Sequence, residues 1–186
     1  MPSFSDHAII LKRIDFDEAK RIITLLTCNH GKLCAVAPGV RKVTSRKGSH
    51  LELFNHAQVF FAKGKNLDII TEAATIDSFE NIRGNLEKIG QAYYIVELVD
   101  ALLPEEQKNY PVFNLLLNAL SQLNKKTNPL LRNFEIDLLK TLGFWSDEVH
   151  GRNYPSEPKA QAHFNQVLIQ EIIERELRSA RFLEQV

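Results

Sequence analysis

The chain has 186 residues, of which 44% are hydrophobic and 25% are charged. This composition is typical of a folded globular protein and excludes a disordered one. No stretch approaches the roughly 18 uninterrupted apolar residues of a membrane span, and the start of the chain lacks the basic and apolar regions of a signal peptide. Only two cysteines are present, Cys28 and Cys34, too few for a disulfide scaffold. These features predict a cytoplasmic protein without a membrane segment.

Charge is balanced over the whole chain but uneven along it. The 23 lysines and arginines equal the 23 acids in number, yet the stretch from Lys32 to Lys65 contains a single acid, Glu52, beside seven bases. A local excess of bases is able to bind a polyanion even when the net charge of the chain is zero. This stretch is therefore the place to look for phosphate contacts.

The first eighty residues carry strand patterns. Apolar and β-branched stretches at about 7–14, 21–28, 32–37, 51–62 and 67–76 predict five strands joined by short polar turns. Asn29, His30 and Gly31 predict a tight hairpin turn, because Asn and Gly adopt positive φ at low cost. Five short strands connected in this way are typical of a small closed or partly open barrel.

From about Asp77 the apolar period becomes helical. Helices are predicted over about 89–103, 113–123, 131–142 and 159–178. Asn128 and Pro129 predict the start of the third helix and Gly143 its end. The fold class expected is α+β, with a five-stranded barrel domain at 1–79 followed by an all-helical domain at 80–186.

The sequence shows no catalytic motif. Nucleophile-elbow, P-loop, metalloprotease and dinucleotide-binding patterns are all missing. Cys28, His30 and Cys34 are candidate metal ligands, but zinc sites usually draw on a second ligand pair that this chain lacks. We therefore expect no catalytic site, no metal and no cofactor.

A basic segment at 39–49 lies between two predicted strands and contains glycine and serine but no acid. A solvated surface loop is the simpler interpretation of such a run. Small barrels, however, bind strands of nucleic acid along one face framed by loops, and phosphate binding requires several clustered bases. The predicted phosphate contacts are Arg41, Lys42, Arg46 and Lys47, with Lys32, Lys63 and Lys65 in support.

Aromatic residues on the strand after this segment add a second feature. Phe54, Phe60 and Phe61 fall on the predicted strand at 51–62, where an exposed ring is able to stack on a base. Because side chains alternate along a strand, one of Phe60 and Phe61 faces outward and the other lies in the core. The sequence leaves open which one is exposed.

Six segments, taken in their order along the chain, resemble the RecO recombination mediator family of bacterial DNA repair. Two lie on the predicted strands, two around the basic segment, one in the third helix and one at the end of the chain. They are residues 8–12, 24–27 with 31–33, 35–42, 45–46, 134–144 and 178–183. Many members carry a four-cysteine zinc site after the segment at 134–144, whereas residues 146–158 here contain no cysteine. The chain is thus expected to be a short form without zinc.

The resemblance implies an OB-fold barrel with a helical domain behind it and a function that is not enzymatic. It implies binding to single- and double-stranded DNA, annealing of complementary strands, and, with the partner RecR, recombinase loading on strands coated by single-strand-binding protein. Family members also bind the acidic tail of single-strand-binding protein through the helical domain. We assign that contact to Lys125, Lys126 and Arg132. The alternative interpretation is that these bases only stabilise a helix C-terminus, where the helix dipole favours cations.

Two other classes of function stay open. In the first, the OB-fold is a protein-interaction module that touches no DNA. In the second, the chain is a nuclease or another enzyme that needs clustered acids for a metal, and Asp15, Asp17 and Glu18 are the only close group of acids in the strand region. Those acids are more simply placed in the turn before the second strand.

Overall fold

A computed structural model describes residues 3–125, 131–174 and 177–179. The chain divides into two compact units. The first combines Met1–Glu80 with Leu103–Phe113, and the second combines Asn81–Leu102 with Asn114–Val186. Nothing in the helical periodicity predicted that 103–113 would belong with the barrel. The domain boundaries at 1–79 and 80–186 stay a prediction.

Five strands close into a barrel in the order β1-β2-β3-β5-β4. Neighbouring strands are antiparallel except for β3 and β5, which are parallel, and this connectivity is that of an OB-fold. The strands are β1 Ser3–Phe16, β2 Lys20–Thr27, β3 Gly31–Ala37, β4 His56–Ala62 and β5 Asp68–Asp77. The predicted fold class, a five-stranded OB-fold barrel followed by helices, is confirmed.

The barrel core follows from the two-residue period of its strands. Ile10 pairs with Leu25 across β1 and β2, and Phe61 pairs with Ile70 across β4 and β5. All four side chains are fully buried. Alternate residues of a strand face opposite sides of the sheet. Burial of the apolar residues on the inner face therefore fixes the register between paired strands and leaves the alternate residues on the outer face of the barrel.

The fourth strand begins later than the sequence predicted. Residues 51–55 are not strand: Ser49–Leu51 form a short 3-10 turn, and Phe54 has a φ of 72°. The side-chain amide of Asn55 donates to the carbonyl oxygens of Ser49 (3.0 Å) and His50 (3.2 Å) and so holds the turn. Phe54 is buried, so it does not present the exposed ring considered above.

The connection between β3 and β4 is fixed at both ends. Val40 and Leu51 belong to the barrel core and are nearly or fully buried. The residues between them, 41–50, therefore leave the barrel and return to it at two apolar anchors. We call residues 41–50 the basic loop.

The turn between β2 and β3 is held by a buried carboxylate. Asp6 accepts hydrogen bonds from the backbone N–H of Asn29 (2.8 Å), the Asn29 side-chain amide (2.9 Å) and Nδ1 of His30 (2.7 Å). Burial alone would raise the pKa of Asp6, but the hydrogen bonds from His30 and Asn29 prevail and hold that pKa below its usual value. Gly31 has a φ of 75°, which confirms the predicted hairpin turn.

Five helices follow the barrel strands in the described part of the chain. They are α1 Glu80–Arg83, α2 Leu86–Leu102, α3 Tyr110–Lys125, α4 Leu131–Thr141 and α5 Pro158–Ile173. The short α1 was not predicted. The last helix ends at Ile173 rather than 178, because Glu174 takes a left-handed φ of 53° that stops the helix. Among these helices, none has the length and apolar character needed to cross a bilayer.

Gly143 ends α4 as predicted. Its φ is 80°, and the N–H of Phe144 donates to the carbonyl oxygen of Leu139 at 2.8 Å, which satisfies one of the last carbonyls of the helix. The predicted helix start at Asn128 and Pro129 lies outside the described residues.

A buried polar group joins three helices of the second unit. Tyr94 of α2 donates its hydroxyl to Oε1 of Glu135 in α4 at 2.7 Å, and Asn165 of α5 donates its amide to Oε2 at 2.8 Å. All three side chains are less than a tenth exposed. Burial, together with the Glu135 charge, raises the pKa of Tyr94 far above its usual value, so the hydroxyl keeps its proton.

Removing the tyrosine hydroxyl is expected to destabilise this unit. Tyr94→Phe leaves a buried carboxylate oxygen with one donor fewer, which costs about 1–3 kcal/mol of unfolding free energy. Urea denaturation followed by circular dichroism measures the change. Tyr110→Phe is the matched control, because Tyr110 is about half exposed. Equal stability of the two variants would contradict a structural role for the Tyr94–Glu135 hydrogen bond.

Candidate nucleic-acid interface

The basic loop and β5 enclose a groove of about 680 Å³, which we call the basic groove. Three of the predicted phosphate contacts line it on one side, with hydroxyl groups between them, and β5 forms the other side. The loop side contributes Lys42, Thr44, Ser45, Arg46, Lys47 and His50, and the strand side contributes Thr71, Glu72 and Ala73. The left-handed φ of 68° at Gly39 turns the chain away from β3 into this loop.

Two contacts tie the loop to β5. Nζ of Lys47 donates to the carbonyl oxygen of Ile70 at 2.7 Å, and Nδ1 of His50 accepts the backbone N–H of Thr75 at 3.2 Å. Burial lowers the pKa of Lys47. Because its ammonium group is already engaged with the strand, Lys47 positions the loop more than it offers charge to a ligand.

Lys42 and Arg46 are the exposed positive charges of the groove. Within the described residues, neither forms an ion pair. The one acid of the surrounding stretch, Glu52, pairs with Arg13. Of the groove-lining side chains, only Glu72 is a carboxylate. The groove is thus positively charged along the loop and carries one negative charge on the strand.

The remaining predicted bases are placed elsewhere. Arg41 lies 3.6 Å from Asp15 and also donates to the carbonyl oxygen of Asp17. Lys63 pairs with Asp68 at 2.9 Å. Lys65 is exposed in the turn before β5. Lys32 is only 8% exposed, so it is omitted from the contacts proposed below.

The residues suggested for a protein tail are only partly described. Lys125 is exposed at the last position of α3. Lys126 lies outside the described residues, as does the side chain of Arg132. The assignment of these three bases stays a prediction.

A second, smaller hollow adjoins the basic groove. It has a volume of about 310 Å³ and shares Thr71 and Glu72 with the groove. Phe60 lies in its lining and is 41% exposed, whereas Phe61 is fully buried. This answers the question that the sequence left open. No sequence pattern marked Thr71, Glu72 or His50 as groove residues, because their place in the groove depends on where the loop packs against β5.

Part of the outer face formed by β1, β2 and the start of β3 is covered. Ile9 and Leu26 lie outside the core cluster, yet both are fully buried. The N–H of Glu106 donates to the carbonyl oxygen of Lys32 at 2.8 Å, so the returning segment 103–113 pairs with the start of β3. OB-folds commonly bind oligonucleotides along strands 2 and 3. In this barrel the start of β3 is paired with the returning segment, whereas Cys34 and Val36 farther along β3 are partly exposed. The basic groove offers an open surface elsewhere.

Three of the candidate acids and metal ligands, Asp15, Asp17 and His30, are engaged in structural contacts. Asp15 accepts from Nε of Arg21 at 2.7 Å, and this contact, supported by Arg41, lowers the pKa of Asp15. Asp17 pairs with Lys20 at 3.2 Å. His30 is bound to Asp6. Within the ranges 3–125, 131–174 and 177–179, no three His, Cys, Asp or Glu residues converge on a point suited to a metal ion.

Two family models match the chain. The one described as "Recombination protein O N terminal" matches residues 1–79, and the one described as "Recombination protein O C terminal" matches residues 83–150. The first match coincides with the barrel strands and the basic loop. The second match covers α2 to α4.

Curated relatives are similar to the chain over the same region. The DNA repair protein RecO of Roseiflexus sp. (strain RS-1) is 43% identical over 143 residues, covering 76% of this chain and 50% of that protein. Those of Dehalococcoides mccartyi (strain BAV1) and Symbiobacterium thermophilum are 41% and 36% identical, covering 76% and 77% of this chain and 56% and 58% of those proteins. The chain spans about half the length of the curated relatives it matches. From the order of its strands, the matched helices and these identities, the chain belongs to the Recombination protein O (RecO) family.

Proposed function

We propose that this protein acts in DNA repair by recombination and binds DNA in the basic groove. The observation that carries the proposal is that Lys42 and Arg46 are both exposed on the loop side of the basic groove. The loop that carries them is held against β5 by Lys47 and His50. Membership of a family whose relatives are named DNA repair proteins supports the same role. The protein contributes no catalytic step in this proposal; it binds and positions strands.

The proposed activity is the annealing of complementary strands. Two polyanions approach only when part of their charge is neutralised, and bases pair only when the protein releases the strand readily. A groove with two exposed bases and one carboxylate, Glu72, suits such moderate binding. The further steps proposed are recombinase loading with RecR on strands coated by single-strand-binding protein, carried out at the cytoplasmic nucleoid. The resemblance of the chain to the RecO family supports them.

Charge reversal in the groove tests the proposal. Lys42→Glu with Arg46→Glu is expected to weaken binding of a labelled single-stranded oligonucleotide at least about tenfold. It should also reduce the slope of log K against log salt by about 1.4, since two phosphate contacts are lost at roughly 0.7 each. Fluorescence anisotropy across a salt series measures both quantities.

The matched control is Arg152→Glu with Lys159→Glu, which makes the same change in net charge at exposed positions of the second unit. Its affinity and salt slope are expected to stay within twofold of the wild type. Equal weakening in both double variants would show a general charge effect and refute the groove. Absence of DNA binding by the wild type at low salt would favour the protein-interaction module instead.

A further inference from the structure

We infer that Phe60 is a base-stacking residue that makes the basic groove selective for unpaired bases, and hence for single strands over duplex DNA. The inference rests on the proposed function, because it assigns a specificity to the same surface. It is carried by the position of Phe60 on the barrel, by the hollow around it and by the exposed bases of the adjoining groove.

The ring of Phe60 stands on the outer face of β4 with small or polar neighbours. Its cross-strand partners are Ser5 on β1 and Glu72 on β5, and neither offers an apolar surface to cover a phenyl ring. The adjacent inward position is filled by Phe61, which is fully buried. Phe60 therefore stays at the surface, where its ring is 41% exposed.

An irregularity in the sheet fixes the position of this ring. The register between β4 and β5 shifts between Phe60 and Phe61, so that Thr71 is an extra residue on β5. The hydroxyl of Thr71 donates to the carbonyl oxygen of Phe60 at 3.2 Å. Bulges of this kind redirect side chains and bend the strand locally, and here the bulge lies between the ring and the basic groove.

Positive charge is found on the loop side of the ring, whereas Lys63 on the other side is paired with Asp68. Toward the loop, the hollow around Phe60 shares Thr71 and Glu72 with the basic groove that Lys42 and Arg46 line. On the other side, the hollow includes Phe4, and Nζ of Lys63 lies 5.1 Å from the centroid of the Phe4 ring. A DNA strand crossing β5 from the basic loop thus meets the exposed charges of Lys42 and Arg46 and then the exposed side chain of Phe60.

This arrangement distinguishes unpaired from paired bases. Every base has a flat face that can stack on an aromatic ring, so stacking adds affinity without sequence preference. In a duplex those faces are already covered by neighbouring base pairs, and only the phosphates are offered to the protein. The ring therefore adds affinity for single strands alone, by roughly tenfold for one stacked base.

The test compares three ligands by fluorescence anisotropy with the full chain. They are a thymidine oligonucleotide, an abasic backbone of the same length and charge, and a duplex of the same length. The wild type is expected to bind the thymidine ligand about tenfold more tightly than the abasic one. Phe60→Ala should lose that preference and leave the salt slope, the abasic affinity and the duplex affinity unchanged.

Two further variants separate stacking from other effects. Phe60→Trp is expected to keep the preference, whereas Phe60→Leu, which is apolar but has no flat ring, should lose it. Glu72→Gln should strengthen binding of all three ligands by a similar factor, because it changes charge and not stacking. Thermal unfolding of each variant verifies that the barrel is intact.

The outcomes distinguish this inference from the proposed function. If the wild type binds none of the three ligands, the proposed function fails. If it binds all three but prefers none, or if Phe60→Ala keeps the preference for thymidine, the groove stands and the stacking role of Phe60 is refuted.

Discussion

A Gly31→Ala variant is expected to lose about 3 kcal/mol or more of unfolding free energy, a large share of the roughly 5–15 kcal/mol that stabilises a typical domain. Two effects add. The φ of 75° at Gly31 lies in the left-handed region, which costs an alanine about 1–2 kcal/mol. In addition, a Cβ on Gly31 would lie 2.2 Å from the carbonyl oxygen of Gln107, so the segment after α2 would have to move away from the hairpin.

Gly39→Ala is the matched control for this prediction. Gly39 has a similar φ of 68°, but a Cβ there meets no atom within 4 Å in the described structure. Its loss should be limited to the backbone cost, about 1–2 kcal/mol. Urea denaturation of both variants gives the difference. Equal losses in the two would mean that the approach of Gln107 to the hairpin is not needed for stability.

Replacing Asp6 by Asn should cost about 2–4 kcal/mol, because it removes the charge from a buried acceptor of several hydrogen bonds. The carboxylate accepts three hydrogen bonds from Asn29 and His30 and a fourth from the N–H of His7. An amide at this position would direct its own N–H groups at some of these donors. The hairpin turn before β3 would lose its attachment to β1.

The pH dependence of stability tests the same carboxylate. The pKa of Asp6 is lower in the folded protein than in the unfolded chain, so its stabilising effect is complete above the unfolded value of about 3.9 and is lost as the pH falls through the folded value. Below that point the wild type should approach the stability of Asp6→Asn. Asp137→Asn, at an exposed site on α4, should follow the wild type at every pH. A constant difference between wild type and Asp6→Asn down to pH 2 would contradict this role.

The elements with strict periodicity were predictable from sequence. The alternation that buries Ile10, Leu25 and Phe61 gives the strands, and Gly143 ends α4 because the turn requires positive φ. The turn at 51–55 was not predictable, since its apolar residues are compatible with a strand. Hydrogen bonds to a distant strand, β1, determine this turn. The N–H of Phe54 donates to the carbonyl oxygen of Ile10 at 3.0 Å, and the N–H of Ile10 donates to the carbonyl oxygen of Asn55 at 3.1 Å.

The site was predictable in its charge and less so in its geometry. The run of bases without acids pointed to the basic loop, and Lys42 and Arg46 are exposed on the groove. Sequence reasoning could not separate them from Lys47, which is bonded to Ile70, or from Lys32, which is buried. These distinctions depend on contacts between residues far apart in the chain, and a charge count contains no information about such contacts.

The two core anchors of the basic loop, Val40 and Leu51, have a consequence for how the family can diverge. The exposed residues between them, such as Lys42, Arg46 and the fully exposed Val43, contribute little apolar burial of their own. Substitutions there alter the surface charge with little effect on folding, because exposed positions tolerate change at about 0.5 kcal/mol or less. Under the proposed function, DNA affinity and fold stability can therefore vary independently of one another. Selection is free to adjust the strength of strand binding between lineages while the barrel beneath the loop stays the same.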